Sequence, residues 1–426
     1  MTIDRTTAPE FKAINDISLI EPQHIKLANG CNVFCFNNGG QELLRMEWVF
    51  GNLRFDAAKP LLNQAIMALL TEGTQNYTSA QIADKVDFYG AFLQAEYGFD
   101  HSQVTLFSLN KHLSETLPMV KEVLTNAIFP QKEVETYVRN QQQKLQVSLQ
   151  KNDVVARRVF NKALNGDTIY GFAAEATHYQ ALDRADLLEH YKHMFRPDNC
   201  TLIIAGKIEQ QALDMINDLF GKSWENNGEP ADTTQPEVVR GTEYLYYVEK
   251  TDALQSAIRL GIPAVNRTHP DFPALQVLNT VLGGYFGSRL MTNIREDKGY
   301  TYGIGSGISS LKHNALWFIA SEVGADVCKA AIAEIEKELN LLRTELIADD
   351  ELVLVKNYML GSLLGSLENV FSHADKFKNV YFASIGLDYY QQYTQKVKAV
   401  TAAELQQLAN QYLNFDNFYK VIVGKY

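Results

Sequence analysis

Two hydrophobic rhythms alternate along this chain. Short runs rich in apolar, aromatic and β-branched residues read as strands: "LLRMEWVFG" (43–51) and "SAIRLGIPA" (256–264). Longer stretches with apolar residues three and four apart read as helices, around 57–71 and around 270–283. In each half the same order follows. A strand pair comes next ("GAFLQAEYGFDHSQVTLFSL"; "YTYGIGSGISSLKHNALWFIASEV"), then about three helices, then a closing apolar strand.

The halves repeat in detail. "DLLEHYKHMFRPDNCTLIIAGK" (186–207) and "ELQQLANQYLNFDNFYKVIVGK" (404–425) both run from an amphipathic helix through an Asp-Asn turn into an apolar strand and a Gly-Lys stop. The turns lie 218 residues apart (416 − 198 = 218), as do Gly206 and Gly424, and Glu133 and Glu351 in the two helices further upstream. A constant offset over this distance marks a duplicated unit of roughly 200 residues. The segment poorest in apolar residues, "WENNGEPADTTQPEVVRG", reads as a linker over 224–241. The pattern therefore predicts two tandem α+β sandwich domains, 1–223 and 242–426, each a mostly antiparallel sheet with helices on one face.

Composition changes this picture little. Hydrophobic residues make up 46% of the 426 and charged residues 21%, enough to bury a full core in each half. A net charge of −11 with no Lys/Arg cluster excludes a general nucleic-acid binder. The four cysteines, Cys31, Cys35, Cys200 and Cys328, are too few for a disulfide framework. Cys31 and Cys35, four apart on one strand, would be more than about 10 Å apart, too far for one bridge or one metal. The first residues contain no apolar signal segment, and no run reaches the roughly 18 apolar residues of a membrane span. The expected setting is cytoplasmic, with no membrane partner.

Motifs for chemistry are sparse. His190 and His193 share a helix face in "LEHYKHMF" but have no third ligand nearby, and read as a solvated face. There is no nucleophile elbow and no phosphate-binding loop. "GGYFGSRL" (283–290) is Gly-rich, lacks a lysine, and reads as a flexible loop opening a helix. In "RLMTNIREDKGYTYGIGSG", Arg295 is followed by Tyr300 and Tyr302. An Arg fork beside a Tyr hydroxyl can grip a peptide carbonyl and steady a developing oxyanion. A capped helix followed by two half-buried tyrosines accounts for the same pattern.

Taken together, the "EGT" stop at 72–74, the Pro-x-x-Glu helices, the linker and the "SRL…IRE…GYTYG" segment resemble the pitrilysin/insulinase-type zinc peptidases, the inverzincins. The likeness spans almost the whole chain and is strongest to the short-chain branch that includes mitochondrial processing peptidase and bacterial relatives. In that family a first-domain helix carries His-x-x-Glu-His, two zinc ligands and a general base. Counted back from Thr74, those positions hold Gln64, Met67 and Ala68 here. The third ligand would be a Glu on a later helix, yet 136–152 contains no acid. The resemblance implies that this chain binds no metal.

Arg295 and Tyr302 keep the seven-residue spacing of a family pair that reaches into the zinc site and contacts substrate. The resemblance therefore implies a zinc-free subunit that pairs with a zinc-bearing chain of the same family and acts in trans on unfolded peptides. It also implies a substrate-contacting loop at Gly283, Gly284 and Gly287, short here. In zinc-bearing members an edge strand of the first domain binds substrate; its counterpart here has Gln94 and Ala95 in place of the usual Asn-Ala. Such a chain would cleave nothing alone. The alternative is a non-enzymatic scaffold of the same fold, for example as a homodimer.

Overall fold

The computed structural model describes residues 6, 14, 17–226 and 229–426. Eleven strands form two mixed sheets. The first holds β1 (Gln23–Lys26), β2 (Asn32–Asn37), β3 (Leu43–Gly51), β4 (Phe92–Tyr97), β5 (His101–Leu109) and β6 (Cys200–Gly206), in the order β1-β2-β6-β3-β5-β4. The second holds β7 (Leu245–Glu249), β8 (Gln255–Pro263), β9 (Thr301–Ser310), β10 (Ala315–Gly324) and β11 (Tyr419–Gly424), in the order β7-β11-β8-β10-β9. Without β1 the two orders are the same. In each sheet the closing strand runs parallel to one neighbour (β6 to β2, β11 to β7) and antiparallel to the other. Each closing strand thus lies inside its sheet. Every residue of β6 is buried, which is why it reads as an unbroken apolar run rather than an alternating one.

On β3, Leu44, Met46, Trp48 and Phe50 point one way, into a core completed by the unit's own helices. Val49 points the other way and joins Phe34, Phe36, Ile203 and Ala205. That second face is covered by a helix from the other half, Val370–Tyr381, through Val370, Ala374 and Phe377. The arrangement is reciprocal. Helix Asn152–Asn165 of the first half lays Ala156, Phe160 and Leu164 on Ala257, Val421 and Val423 of the second sheet. The two exchanged helices begin 218 residues apart (370 − 152 = 218), so they are the same element of the repeat. Helices on one face of each sheet is what the pattern predicts; the other faces are covered by exchange.

Polar contacts reinforce the exchange. Arg45 on β3 forks onto Asp375, NH2 to Oδ1 at 2.8 Å and NH1 to Oδ2 at 3.2 Å. Glu47, buried, accepts from Lys378 at 2.6 Å. The segment after the first unit lies along it. Trp224, which composition assigns to a linker, is buried against Phe50 and Phe220, and Arg54 N–H donates to the Asp232 carbonyl at 2.7 Å. All four cysteines are free and buried, and burial pushes the Cys35 thiol up to about 11. No described helix is long and apolar enough to cross a membrane.

Candidate functional site

In the second unit, a π-helical turn, Met291–Asp297, precedes β9. Its inner side is fixed: Ile294 is buried, and Asn293 donates through Nδ2 to Glu338 at 2.7 Å and Glu334 at 3.0 Å. Arg295 is the next residue and projects from the outer side. Gly299, at φ +65°, makes the turn from this segment into β9, a conformation that costs any other residue strain. Tyr300 packs on the core, and its N–H donates to the Ile294 carbonyl at 3.0 Å.

Tyr302 is aimed by an irregularity in the sheet. Ile304 pairs with Ser321 and Thr301 with Val323, so Tyr302 and Gly303 together face the single Glu322. This is a β-bulge, which re-aims side chains where it occurs. Regular alternation would put Tyr302 on the buried side with Ile304; the bulge leaves it 91% exposed.

Arg295 and Tyr302 come together. The guanidinium carbon lies 5.8 Å from the Tyr302 ring centroid and 4.7 Å from that of Phe286, itself 65% exposed. Both rings thus lie within cation–π reach of the guanidinium. Among the described residues, neither the Arg295 guanidinium nor the Tyr302 hydroxyl has a hydrogen-bond or ion-pair partner. Such a pair can donate to one carbonyl oxygen from two directions.

The Gly-rich segment is not the open loop expected from its composition. Thr280–Gly284 closes the preceding helix as a π-helical turn. Gly283 is buried there, and a Cβ on it would meet Ser306 N and Oγ at 2.7 Å; it is a packing glycine. Gly284 and Gly287 are exposed and flank Tyr285 and Phe286. Phe286 was missed from the sequence, although a pair of aromatics between glycines shortly before Arg295 was the available signal. Tyr285 stacks near Tyr358 at 5.0 Å, extending the aromatic surface onto helix Asp349–Gly365, whose Val353, Leu354 and Leu364 are also exposed.

The first unit supplies no metal-ligating set. Helix Leu62–Leu69 buries Met67 in the core, half-buries Gln64 and exposes Ala68. None offers a competent zinc donor or base. The neighbouring helix Gln131–Ser148 brings no carboxylate over 136–148. No group of three or more His, Cys, Asp or Glu among the described residues is placed to hold a metal. His190 is used for packing: its Nε2 meets Asn63 Oδ1 at 2.8 Å, and burial, then His193, pull its pKa down to about 4. Gln94 and Ala95 lie on β4, the free edge of the first sheet.

Fold and site together resemble a pitrilysin/insulinase-type chain whose first-unit helix lacks the metal-binding residues. Residues 181–359 match the family described as "Peptidase M16 inactive domain". It is 28% identical over 304 residues to an "Uncharacterized zinc protease YmxG" of Bacillus subtilis (strain 168), covering 70% of this chain and 72% of that one. It is 23% identical over 370 residues to a "Non-peptidase homolog YmxG" of Helicobacter pylori, covering 84% and 82%. Among solved structures, a peptidase M16 inactive domain from Pseudomonas fluorescens superposes with a TM-score of 0.86 at 20% identity, covering 95% of this chain and 98% of that chain, a likeness of fold.

Proposed function

We propose that this chain is the non-catalytic subunit of a two-chain metallopeptidase. It would pair with a zinc-bearing chain of the same family, close a chamber with it, and present Arg295 and Tyr302 to an unfolded peptide held at the partner's site. The observation that carries this reading is the Arg295 guanidinium, without a hydrogen-bond or ion-pair partner among the described residues and within cation–π reach of the exposed Phe286 and Tyr302 rings. The Arg fork and the phenol hydroxyl would donate to the carbonyl oxygen at the bond being cut and favour the charge that develops there. Zinc would belong to the partner; the helix Leu62–Leu69 has nothing to bind it with.

A second reading, a structural subunit without enzymatic role, draws support from a likeness of 24% over 293 residues to the bovine "Cytochrome b-c1 complex subunit 1, mitochondrial", covering 66% of this chain and 59% of that one. One experiment separates the two. The purified chain is assayed for bound zinc and for hydrolysis of an unstructured peptide library, alone and with a co-encoded relative bearing His-x-x-Glu-His. Activity that needs both chains is the expected result. Stoichiometric zinc in the lone chain overturns the reading. So does a stable complex that remains inert, which leaves the structural role.

A further inference from the structure

Away from the Arg295 cluster, a cavity of about 490 Å³ opens between the two units. The start of β5 contributes His101, the turn after β8 contributes Arg267, the β9–β10 hairpin contributes Lys312 and His313, and helix Val370–Tyr381 contributes Lys378. The volume is that of a small-molecule site.

Two of the cations here, Arg267 and Lys312, have no anionic partner among the described residues. Asp100 is the one acid lining the cavity, and both of its carboxylate oxygens are occupied. One accepts from the Tyr170 hydroxyl, the other from the Lys312 backbone N–H at 3.1 Å. Lys378 is held by Glu47 at 2.6 Å and Gln103 at 3.0 Å. The Arg267 guanidinium donates to the Asn379 carbonyl, at 3.2 Å, while its backbone N–H donates to Ser310 Oγ at 3.0 Å. Among the described residues, neither its guanidinium nor the Lys312 ammonium makes an ion pair.

Burial pulls His101 down to about 4, Lys312 and then His313 add to this, and Asp100 only partly opposes it. Burial and Lys312 likewise lower His313, and Arg267 helps lower Lys376 just outside the cavity. In a chain of net charge −11, Arg267 and Lys312 thus leave a local excess of positive charge that Asp100 only partly offsets. Two further features fit a built site. Ser384, on the rim, holds a left-handed φ of +58°, strain of the kind that packing sustains at binding sites. The His101 and Phe382 rings, 4.2 Å apart, form an aromatic wall.

We propose that this interdomain cavity binds a small, multiply charged oxyanion of the pyrophosphate or phosphate-ester class, gripped by Arg267 and Lys312. An Arg fork and a lysine point charge are the usual donors for such a group. His101 comes from the first sheet and Arg267 and Lys312 from the second unit, so the ligand would bridge the halves. None of Phe286, Arg295 or Tyr302 lines the cavity, so the proposal stands apart from the reading of that cluster.

Titration calorimetry of the full chain with pyrophosphate and with AMP, at constant ionic strength, tests it. Saturable binding of at least one is expected, with a rise in melting temperature. Arg267→Gln and Lys312→Gln should each weaken binding about tenfold or more, the loss of one charged hydrogen bond. Lys312 is exposed at the hairpin, so its replacement leaves the fold intact, which an unchanged melting temperature without ligand verifies. Tighter AMP assigns the aromatic wall to an organic ester; tighter pyrophosphate assigns the site to the inorganic anion. No saturable binding of either, or unchanged affinity in a folded Lys312→Gln chain, overturns the proposal.

Discussion

Arg289 and Glu351 meet as a two-pronged ion pair, Nε on Oε1 at 2.9 Å and NH2 on Oε2 at 2.7 Å. The pair joins the "SRL" segment to the first turn of helix Asp349–Gly365, and so fixes the short turn bearing Phe286 against the helix bearing Tyr358. Glu351 is the residue that the repeat aligns with Glu133. Planar, bidentate geometry at partly buried positions makes this stronger than a surface pair. Glu351→Gln should lower stability by about 1–2 kcal/mol. In the assembled complex it should also raise KM more than it lowers kcat, because it loosens the aromatic surface without touching the Arg295 donors. Equal losses in both constants would contradict this division.

Arg295→Ala and Tyr302→Phe should each lower peptidase activity of the two-chain complex by roughly a hundredfold, the scale of losing one oxyanion donor. Melting temperatures should stay the same, since neither side chain holds the core. Arg295→Lys should not rescue, because an ammonium cannot be sandwiched flat and still offer a fork. Phe286→Ala should give a smaller loss, through freedom returned to the guanidinium. Wild-type rates for Arg295→Ala would remove the role assigned to it.

The exchanged helix Asn152–Asn165 seats Phe160 over a strand position with no side chain. A Cβ on Gly261 would meet the Phe160 ring and the Trp317 carbonyl oxygen, each at 2.5 Å. The carbonyl belongs to the sheet backbone and cannot step aside. Gly261→Ala should therefore destabilise by about 2 kcal/mol or more, the range of overpacked cores. Chemical denaturation measures this. A neutral result would mean that the helix slides freely on the sheet.

His190 gives the first unit a pH dependence of definite sign. Its folded pKa, about 4, lies below the ordinary value near 6.5, so the unfolded chain takes up its proton first. Stability from this group is complete above pH 6.5 and is lost as pH falls toward 4, by up to about 3 kcal/mol. Denaturation of the wild type and His190→Gln at pH 7 and pH 4.5 tests it: the gap between the two pH values should shrink in the variant. An unchanged gap would assign the acid sensitivity to other groups.

Much of the architecture was legible because strand burial writes itself into composition. β3 spans the residues that its apolar run marks, and β6 and the Val421–Val423 stretch of β11 stand out as buried apolar runs. The repeat was legible where loops are conserved in length. It holds at 218 from Glu133 onward, but β3 and β8 begin 212 apart (255 − 43 = 212), so the opening strands fall out of register with it. The exchange of helices was not legible. Ala156 and Phe160 carry the same helical period whether they pack on their own sheet or on another. At the site, the Arg295–Tyr302 spacing could be read, but not the bulge that turns Tyr302 outward, since one extra residue in a strand has no signature beyond its glycines. The Gly283 loop failed for the converse reason: glycine marks close packing as readily as it marks mobility.

The reciprocal helices also set an order on synthesis. The first sheet is complete once β6 has been made, yet Phe34, Phe36 and Val49 keep a bare apolar face until helix Val370–Tyr381 has left the ribosome. For most of translation the N-terminal half is a finished sheet missing its lid, the kind of surface on which nascent chains stick together or engage chaperones. Only once residue 381 has been made does either half acquire its last layer. The two units thus mature together, late, as one folding event rather than as two domains in turn.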